Sequence, residues 1–404
     1  MIAERLRQAR IVAAMTQNEV VEALRIHCDV KLTKAGLSKY ERGGSIPKPT
    51  VLRALAKVLG VTVGFFLEPA VIKVRWLAFR KAMSLAGTEQ ERIKAVAVSQ
   101  VEAFLSLSTA LEPNRHCRKI IPQTVKTPED AETAAAELRK QWRLGEQPIE
   151  SVTTVIENAG GIVLEIGDHE DLFDGLAGWA GETDPVIVVS PSVSDDRRRF
   201  SLAHELGHLY MDVGAVDERT EERLAHRFAA AFMVPAATVR RELGAKRRHL
   251  DLRELAILKL KYGLSMQAWV YRASDLGIID AGHKRTLFAE FTRRGWRKSE
   301  PIKFEGRERP IRLKQLAVRA FAEGLLSRTQ TLRICPEALH DLDGLETPTV
   351  SSMDPRNLMK LSRTERDRLL EQAATLAEQD YKAGSELTYF DANREEDESG
   401  LSER

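Results

Sequence analysis

The pentapeptide HELGH at residues 204–208 carries two imidazoles and a carboxylate at a spacing that can do chemistry. At about 100° per residue, four helical residues turn through roughly 400°, so His204 and His208 leave one face a turn apart and can both reach one metal ion. Glu205 falls beside them. From there it can take a proton from a water activated at the metal and pass it to the amine released when an amide is cut. A catalytic zinc takes three protein ligands and keeps one position for water. After His208, EERLAHRFAAAFMVP reads as a second helix, with Glu222, Ala225 and Ala229 on a face that can pack closely against the first. Glu222 is the first candidate for the third ligand. Glu221, about 100° round the helix, and His226, one turn below, follow in that order.

These two helices need elements to position them. RRRFSLAHELGHLYM has Phe200, Ala203, Gly207 and Tyr210 among its periodic small and apolar positions. Upstream, the pattern predicts a helix over Asp130 to Trp142, a second around Val152 to Ala159, a Gly160-Gly161 turn and a β-rich run GIVLEIG. Asp174-Gly175 is a turn signal, LAGWAG a short strand, and VIVVS a buried strand ending at Ser190-Pro191. Leu176 to Ala180 is expected to be an edge strand able to hold an extended peptide by strand addition. Downstream, LRELAILKLKYGLSMQAWVYRASDLGII reads as two helices joined at Tyr262-Gly263-Leu264-Ser265, either supporting the metal region or contacting DNA or a bound repressor. Trp296 stands among the basic residues Arg293, Arg294, Arg297 and Lys298, and LKQLAVRAFAEGLL beyond Pro310 is an amphipathic helix. The last residues, DANREEDESGLSER, have the composition of a solvated acidic tail.

The opening segment reads as a bundle of short helices. Leu6, Ile11 and Val12 form an apolar stripe. Thr16 caps a second helix through Val20, Val21 and Leu24, and Thr33 caps a third over Lys34 to Glu41. In that third helix Leu37 and Tyr40 face inward and leave Lys34, Ala35, Ser38 and Lys39 outward. Pro49 begins a fourth helix bearing Val51, Leu52, Leu55, Ala56 and Leu59. From Ala70 to Leu111 the pattern is helical, predicting a connector or dimerising arm with Phe79, Ile93, Val96, Val101 and Phe104 in a core or interface. A polar, proline-bearing stretch between Pro122 and Pro128 marks the next boundary.

A chain of 404 residues that is 43% hydrophobic and 30% charged has the material for two or three packed domains. Its start has no apolar signal core, and no stretch reaches the roughly 18 to 20 apolar residues of a membrane span, so a cytoplasmic protein without a membrane partner is expected. Three widely spaced cysteines support neither a disulfide framework nor a cysteine-based zinc site. The net charge of +2 hides two basic segments. Residues 1–69 carry 11 Lys/Arg against 6 Asp/Glu, and residues 240–300 carry 15 against 7, a bias that fits contact with a polyanion.

MTQNEVVEAL followed by LTKAGLSKYERGGSIPKPTVLRALAKVLGV resembles the helix-turn-helix domain of Cro/C1-type (XRE) repressors. The resemblance implies that the third helix enters the major groove of double-stranded operator DNA. Lys34, Ala35, Ser38 and Lys39 then read bases, and Gln17, Thr33 and Arg42 contact the backbone or bases. RIHCDVKL is about six residues longer than the tight turn usual in such domains. Together RRRFSLAHELGHLYMD, EERLAHRFAAAFMVP and the upstream FDGLAGWAGETDPVIVVSPSVSDDRRRF resemble the ImmA/IrrE zinc metallopeptidases. That likeness implies Zn2+ held by His204, His208 and Glu222, with Glu205 as catalytic base. Where that family generally has Asn or Asp after the alanine, this chain has His226.

The expected architecture is α+β and mostly helical. It comprises a helix-turn-helix bundle (1–69), a helical connector (70–126), a zincin-like, gluzincin-type metallopeptidase domain with a small sheet (127–245), a helical C-terminal region (246–385) and an acidic disordered tail (386–404). The expected function is a transcriptional regulator, able to form a homodimer, whose metallopeptidase cleaves a helix-turn-helix repressor or the chain itself between Ala70 and Lys126. The competing reading is a non-enzymatic DNA-binding regulator or antitoxin with a structural or sensory zinc site.

Overall fold

The computed structural model of the chain describes residues 2–67, 72–81, 87–115, 117–167 and 173–339, the side chains of 78–81 and 174 excepted. The acidic tail and most of the expected C-terminal region beyond 339 lie outside the described residues.

The first five helices are α1 (Ile2–Val12), α2 (Gln17–Cys28), α3 (Lys34–Glu41), α4 (Pro49–Val58) and α5 (Val63–Leu67). They close on a core of Leu6, Val20, Leu24, Leu37, Leu55 and Phe66, all fully buried. The Thr16 hydroxyl accepts from Glu19 N while the Glu19 carboxylate accepts from Thr16 N, a reciprocal cap that fixes the start of α2. Helix α2 continues through Cys28 and stops at Asp29 in the left-handed region, φ 50°. Much of the extra sequence in RIHCDVKL therefore lengthens a helix, and only residues 29–33 connect α2 to α3.

The helical expectation for 70–111 fails over its first part. Val74–Lys81 is a strand, β1, and among the described residues of this stretch the helix is confined to Gly87–Leu111, α6. VRWLAFRK mixes β-branched and aromatic residues with helix formers, and its local pattern does not decide between the two states. The decision comes from pairing with a strand about a hundred residues later, which local periodicity cannot register. Helix α6 buries Ile93, Ala97, Val101 and Phe104, and the Arg5 guanidinium on α1 donates to Glu102 at 2.6 Å.

Next come β2 (Gln123–Thr124), α7 (Pro128–Gln141), α8 (Val152–Asn158), β3 (Ile162–Glu165), β4 (Phe173–Ala180) and β5 (Asp184–Val189). They are followed by α9 (Asp195–Tyr210), β6 (Met211–Asp212) and α10 (Glu218–Met233). The four-stranded sheet has the order β1-β4-β5-β3, with β4 antiparallel to both neighbours and β3 parallel to β5. The expected edge strand Leu176 to Ala180 is therefore internal, because β1 covers the side left open in the sequence reading. The sheet's Val163, Ala177, Trp179, Ile187 and Val189 share one core with Leu202, Ala203 and Leu206 of α9. Gly178 lets β1 and β4 meet: a Cβ there would lie 2.8 Å from Trp76 Cε3 and 2.9 Å from the Arg75 carbonyl.

The remaining helices are α11 (Ala236–Leu243), α12 (Leu252–Tyr262), α13 (Met266–Asp275), α14 (Ala281–Arg293), α15 (Arg312–Ala322) and α16 (Arg328–Ile334). Helix α13 buries Met266, Trp269, Val270, Arg272 and Ala273, so the α12–α13 pair packs as a support within the core. Buried ion pairs tie this half to the metal region. Lys259 of α12 donates to Asp196 at 2.8 Å and to Glu300 at 2.9 Å. The fully buried Arg272 pairs with Glu132 of α7, which also accepts from Arg227 of α10 at 2.6 Å. Removing one partner leaves a buried guanidinium uncompensated. Glu132→Ala should therefore lower unfolding free energy by about 3–5 kcal/mol, read as a fall in the denaturant midpoint.

Candidate functional site

Helix α9 begins at Ser194 with Asp195 and Asp196 in its first turn, where carboxylates complement the helix dipole, and runs almost wholly buried through HELGH. Gly207 lets α10 come close: a Cβ there would meet Phe228 Cδ1 at 3.0 Å. Ala225 and Ala229, both fully buried, continue the small face of α10. This close approach carries Glu222 to the two imidazoles.

Two imidazole nitrogens and a carboxylate converge between the helices. His204 Nε2 and His208 Nε2 are 3.1 Å apart, Glu222 Oε2 lies 3.3 Å from His204 Nε2, and Glu222 Oε1 lies 3.4 Å from His208 Nε2, one oxygen against each ring. Zinc–ligand bonds of about 2.0–2.1 Å at tetrahedral angles place neighbouring ligands about 3.3 Å apart, close to each of these separations. The His204 side chain is fully buried, whereas that of Glu222 is 30% exposed, which keeps a route for water to the donors. Hydrogen bonds from His204 and then His208 hold the Glu222 carboxyl well below the usual carboxylate range, against the pull of partial burial. Burial opposes a charge on His208, but the hydrogen bond to Glu222 and the charges of Glu205, Glu222 and Glu221 together outweigh it and raise its pKa.

The other two ligand candidates take different places. Glu221 Oε1 lies 3.1 Å from His208 Nδ1, on the far side of the ring from the converging atoms, where a carboxylate fixes the tautomer and leaves Nε2 facing inward. The His226 ring stacks on Phe200 with centroids 5.6 Å apart and sits 4.7 Å from the His204 ring. Ligand atoms of His204, Glu222 and His226 fall within 4.8 Å of one another, a wider set than the one completed by His208. A cleft of about 1700 Å³ is lined by His226, Phe200, Arg297, Lys298 and Lys303 among others, but by none of His204, Glu205, His208 and Glu222. This cleft therefore lies beside the donor cluster rather than on it.

Glu205 is fully buried and lies against the sheet. A Cβ on Gly175 of β4 would stand 2.7 Å from both its Cγ and its Oε1. Only glycine lets the strand pass this close. The sequence reading took Asp174-Gly175 for a turn, and a glycine required by contact with a residue thirty positions later leaves no local signal.

In the N-terminal bundle, α3 carries Lys34, Ala35 and Lys39 exposed and Ser38 half-buried, over the buried Leu37. Thr33 caps α3 by accepting from Gly36 N, and Arg42 at the other end is exposed. Gln17 Nε2 donates to Glu41 Oε2 at 2.8 Å, and Glu41 is gripped by Arg10 through two bonds of 2.6 and 3.0 Å. The amide of Gln17 is thus engaged at the joint between α1, α2 and α3, while the six other predicted residues lie along α3 and at its ends.

Residues 165–274 match the family model of the IrrE N-terminal-like domain, Peptidase_M78, and residues 2–64 match a helix-turn-helix domain model. No curated protein matches the chain. The first match runs from the end of β3 through β4, β5, α9 and α10 to α13 and points to a protease-related role, and the second spans α1 to α4 and points to DNA binding. The chain therefore joins a helix-turn-helix domain to an IrrE-like domain of the M78 peptidase family.

Proposed function

We propose that the chain is a DNA-binding transcriptional regulator whose IrrE-like domain is a zinc metallopeptidase acting on a repressor-type protein or on the chain itself. The reading is carried by the convergence of His204, His208 and Glu222 at separations of 3.1–3.4 Å, with the Glu205 carboxylate next along α9. Two imidazoles and a carboxylate are a common catalytic zinc set. Zinc held there supplies a Lewis acid that polarises a peptide carbonyl and acidifies water. Glu205 takes the proton of the attacking water and delivers it to the leaving amine. Glu221 acts by orienting His208, and no membrane enters the scheme: among the described residues no helix is long and apolar enough to cross one.

On the DNA side, Lys34, Ala35, Ser38 and Lys39 face the base edges, with Thr33 and Arg42 at the backbone. Gln17 contributes mainly through Glu41, by holding α2 and α3 at a fixed angle.

Purified wild-type protein should carry about one zinc per chain, measured by elemental analysis, and His204→Ala should lose it. Glu205→Gln should keep the metal and DNA binding while cutting peptide hydrolysis by about 10²–10⁴-fold; unchanged regulation in that variant would instead favour a structural or sensory zinc. Glu221→Ala should weaken zinc affinity by about 10–100-fold in a chelator competition, whereas Glu222→Ala should behave like His204→Ala. Replacing Lys34 and Lys39 together by Ala should weaken operator binding and reduce the steepness of its salt dependence by about one to two counterions.

A further inference from the structure

The strand that covers β4 comes from the chain's own connector. Beyond α5, which ends at Leu67, the chain runs as β1 antiparallel to β4, pairing Val74 with Ala180 at one end and Arg80 with Gly175 and Lys81 with Phe173 at the other. Gly175 is the residue whose backbone touches the Glu205 carboxylate. Arg80 is therefore the residue of β1 paired across from the general base. The ladder is irregular at this point, since residue 174 of β4 has no partner between Arg80 and Lys81. Such bulges occur next to active sites, where they turn a peptide group out of the regular ladder.

An extended segment added antiparallel to a strand beside a metal centre is the arrangement by which a sheet edge holds a peptide: main-chain hydrogen bonds supply affinity without demanding one sequence. β1 is the outermost strand, with Leu77 39% exposed, and pairs on one side only among the described residues, so another extended peptide can take its place.

Resting on the peptidase reading above, we propose that β4 is the peptide-docking strand of the metal centre and that Val74–Lys81 is its resident substrate, hydrolysed in cis at the Arg80–Lys81 bond. Water adds across that amide: the C–N bond breaks, Arg80 leaves with a carboxylate and Lys81 with an ammonium group, and both protons of the water reach the leaving nitrogen, the first of them through Glu205. Cleavage leaves α1–α5 attached to the rest only by non-covalent contacts such as the Arg5–Glu102 pair.

The test uses full-length chain. Zinc-loaded wild type should yield a fragment beginning at Lys81 by intact-mass analysis, and Glu205→Gln should not. In Glu205→Gln, whose connector stays whole, hydrogen exchange should show amides of 74–81 protected with β4. A synthetic peptide of residues 72–81 added in excess should remove protection from the chain's own β1. Arg75→Pro combined with Trp76→Pro, at positions paired with Trp179 and Gly178, should abolish that protection and the fragment together, with the IrrE-like core still folded by exchange at α9. An intact connector in zinc-loaded wild type overturns the proposal. If that same protein cuts an added peptide or repressor, the peptidase reading survives. If it cuts nothing, both fall.

Discussion

The architecture depends on how closely α9 and α10 approach. Imidazoles one turn apart on α9 are of no use to a metal unless a carboxylate from another element comes within about 3.5 Å of both, and side chains of ordinary size between the helices would prevent it. Gly207, Ala225 and Ala229 remove that bulk, and Phe228 fills the space beside Gly207. Glu222 reaches His204 and His208 in consequence. Much of the surrounding structure holds this pair of helices: α7 packs on α10, Glu132 links α7 to α10 and α13, and Lys259 fixes the start of α9 through Asp196.

The same packing sets the relation between base and sheet. A residue after His204 points about 100° away from it, and in this fold that direction is toward β4. Gly175 gives room for the carboxylate, so His204 and His208 face Glu222 of α10 while Glu205 faces β4. Helix α3 belongs to a separate small core, joined to this region through α1 and α6.

The parts of this arrangement visible in the sequence were those with local spacing. HELGH announces two ligands and a base because helical periodicity alone brings them together. Thr16 and Thr33 announce caps, and the α3 face follows from Leu37 and Tyr40. Glu222 could be ranked ahead of Glu221 and His226 because it shares a face with Ala225 and Ala229. What stayed hidden were contacts between distant segments. VRWLAFRK became a strand because of β4, and β4 lost its edge because of VRWLAFRK, so neither reading could be right without the other. Gly175 passed for a turn for the same reason, and the engagement of Gln17 by Glu41 required the fold of three helices.

The proposed chemistry requires a single ion between His204, His208 and Glu222. A crystal structure of zinc-loaded protein with anomalous scattering recorded at the zinc edge would locate it. One peak should be bonded to both Nε2 atoms and the Glu222 carboxylate at about 2.0–2.2 Å, with Glu205 outside the coordination sphere. A peak ligated by His226 in place of His208, by Glu205 itself, or no peak between α9 and α10, would contradict it.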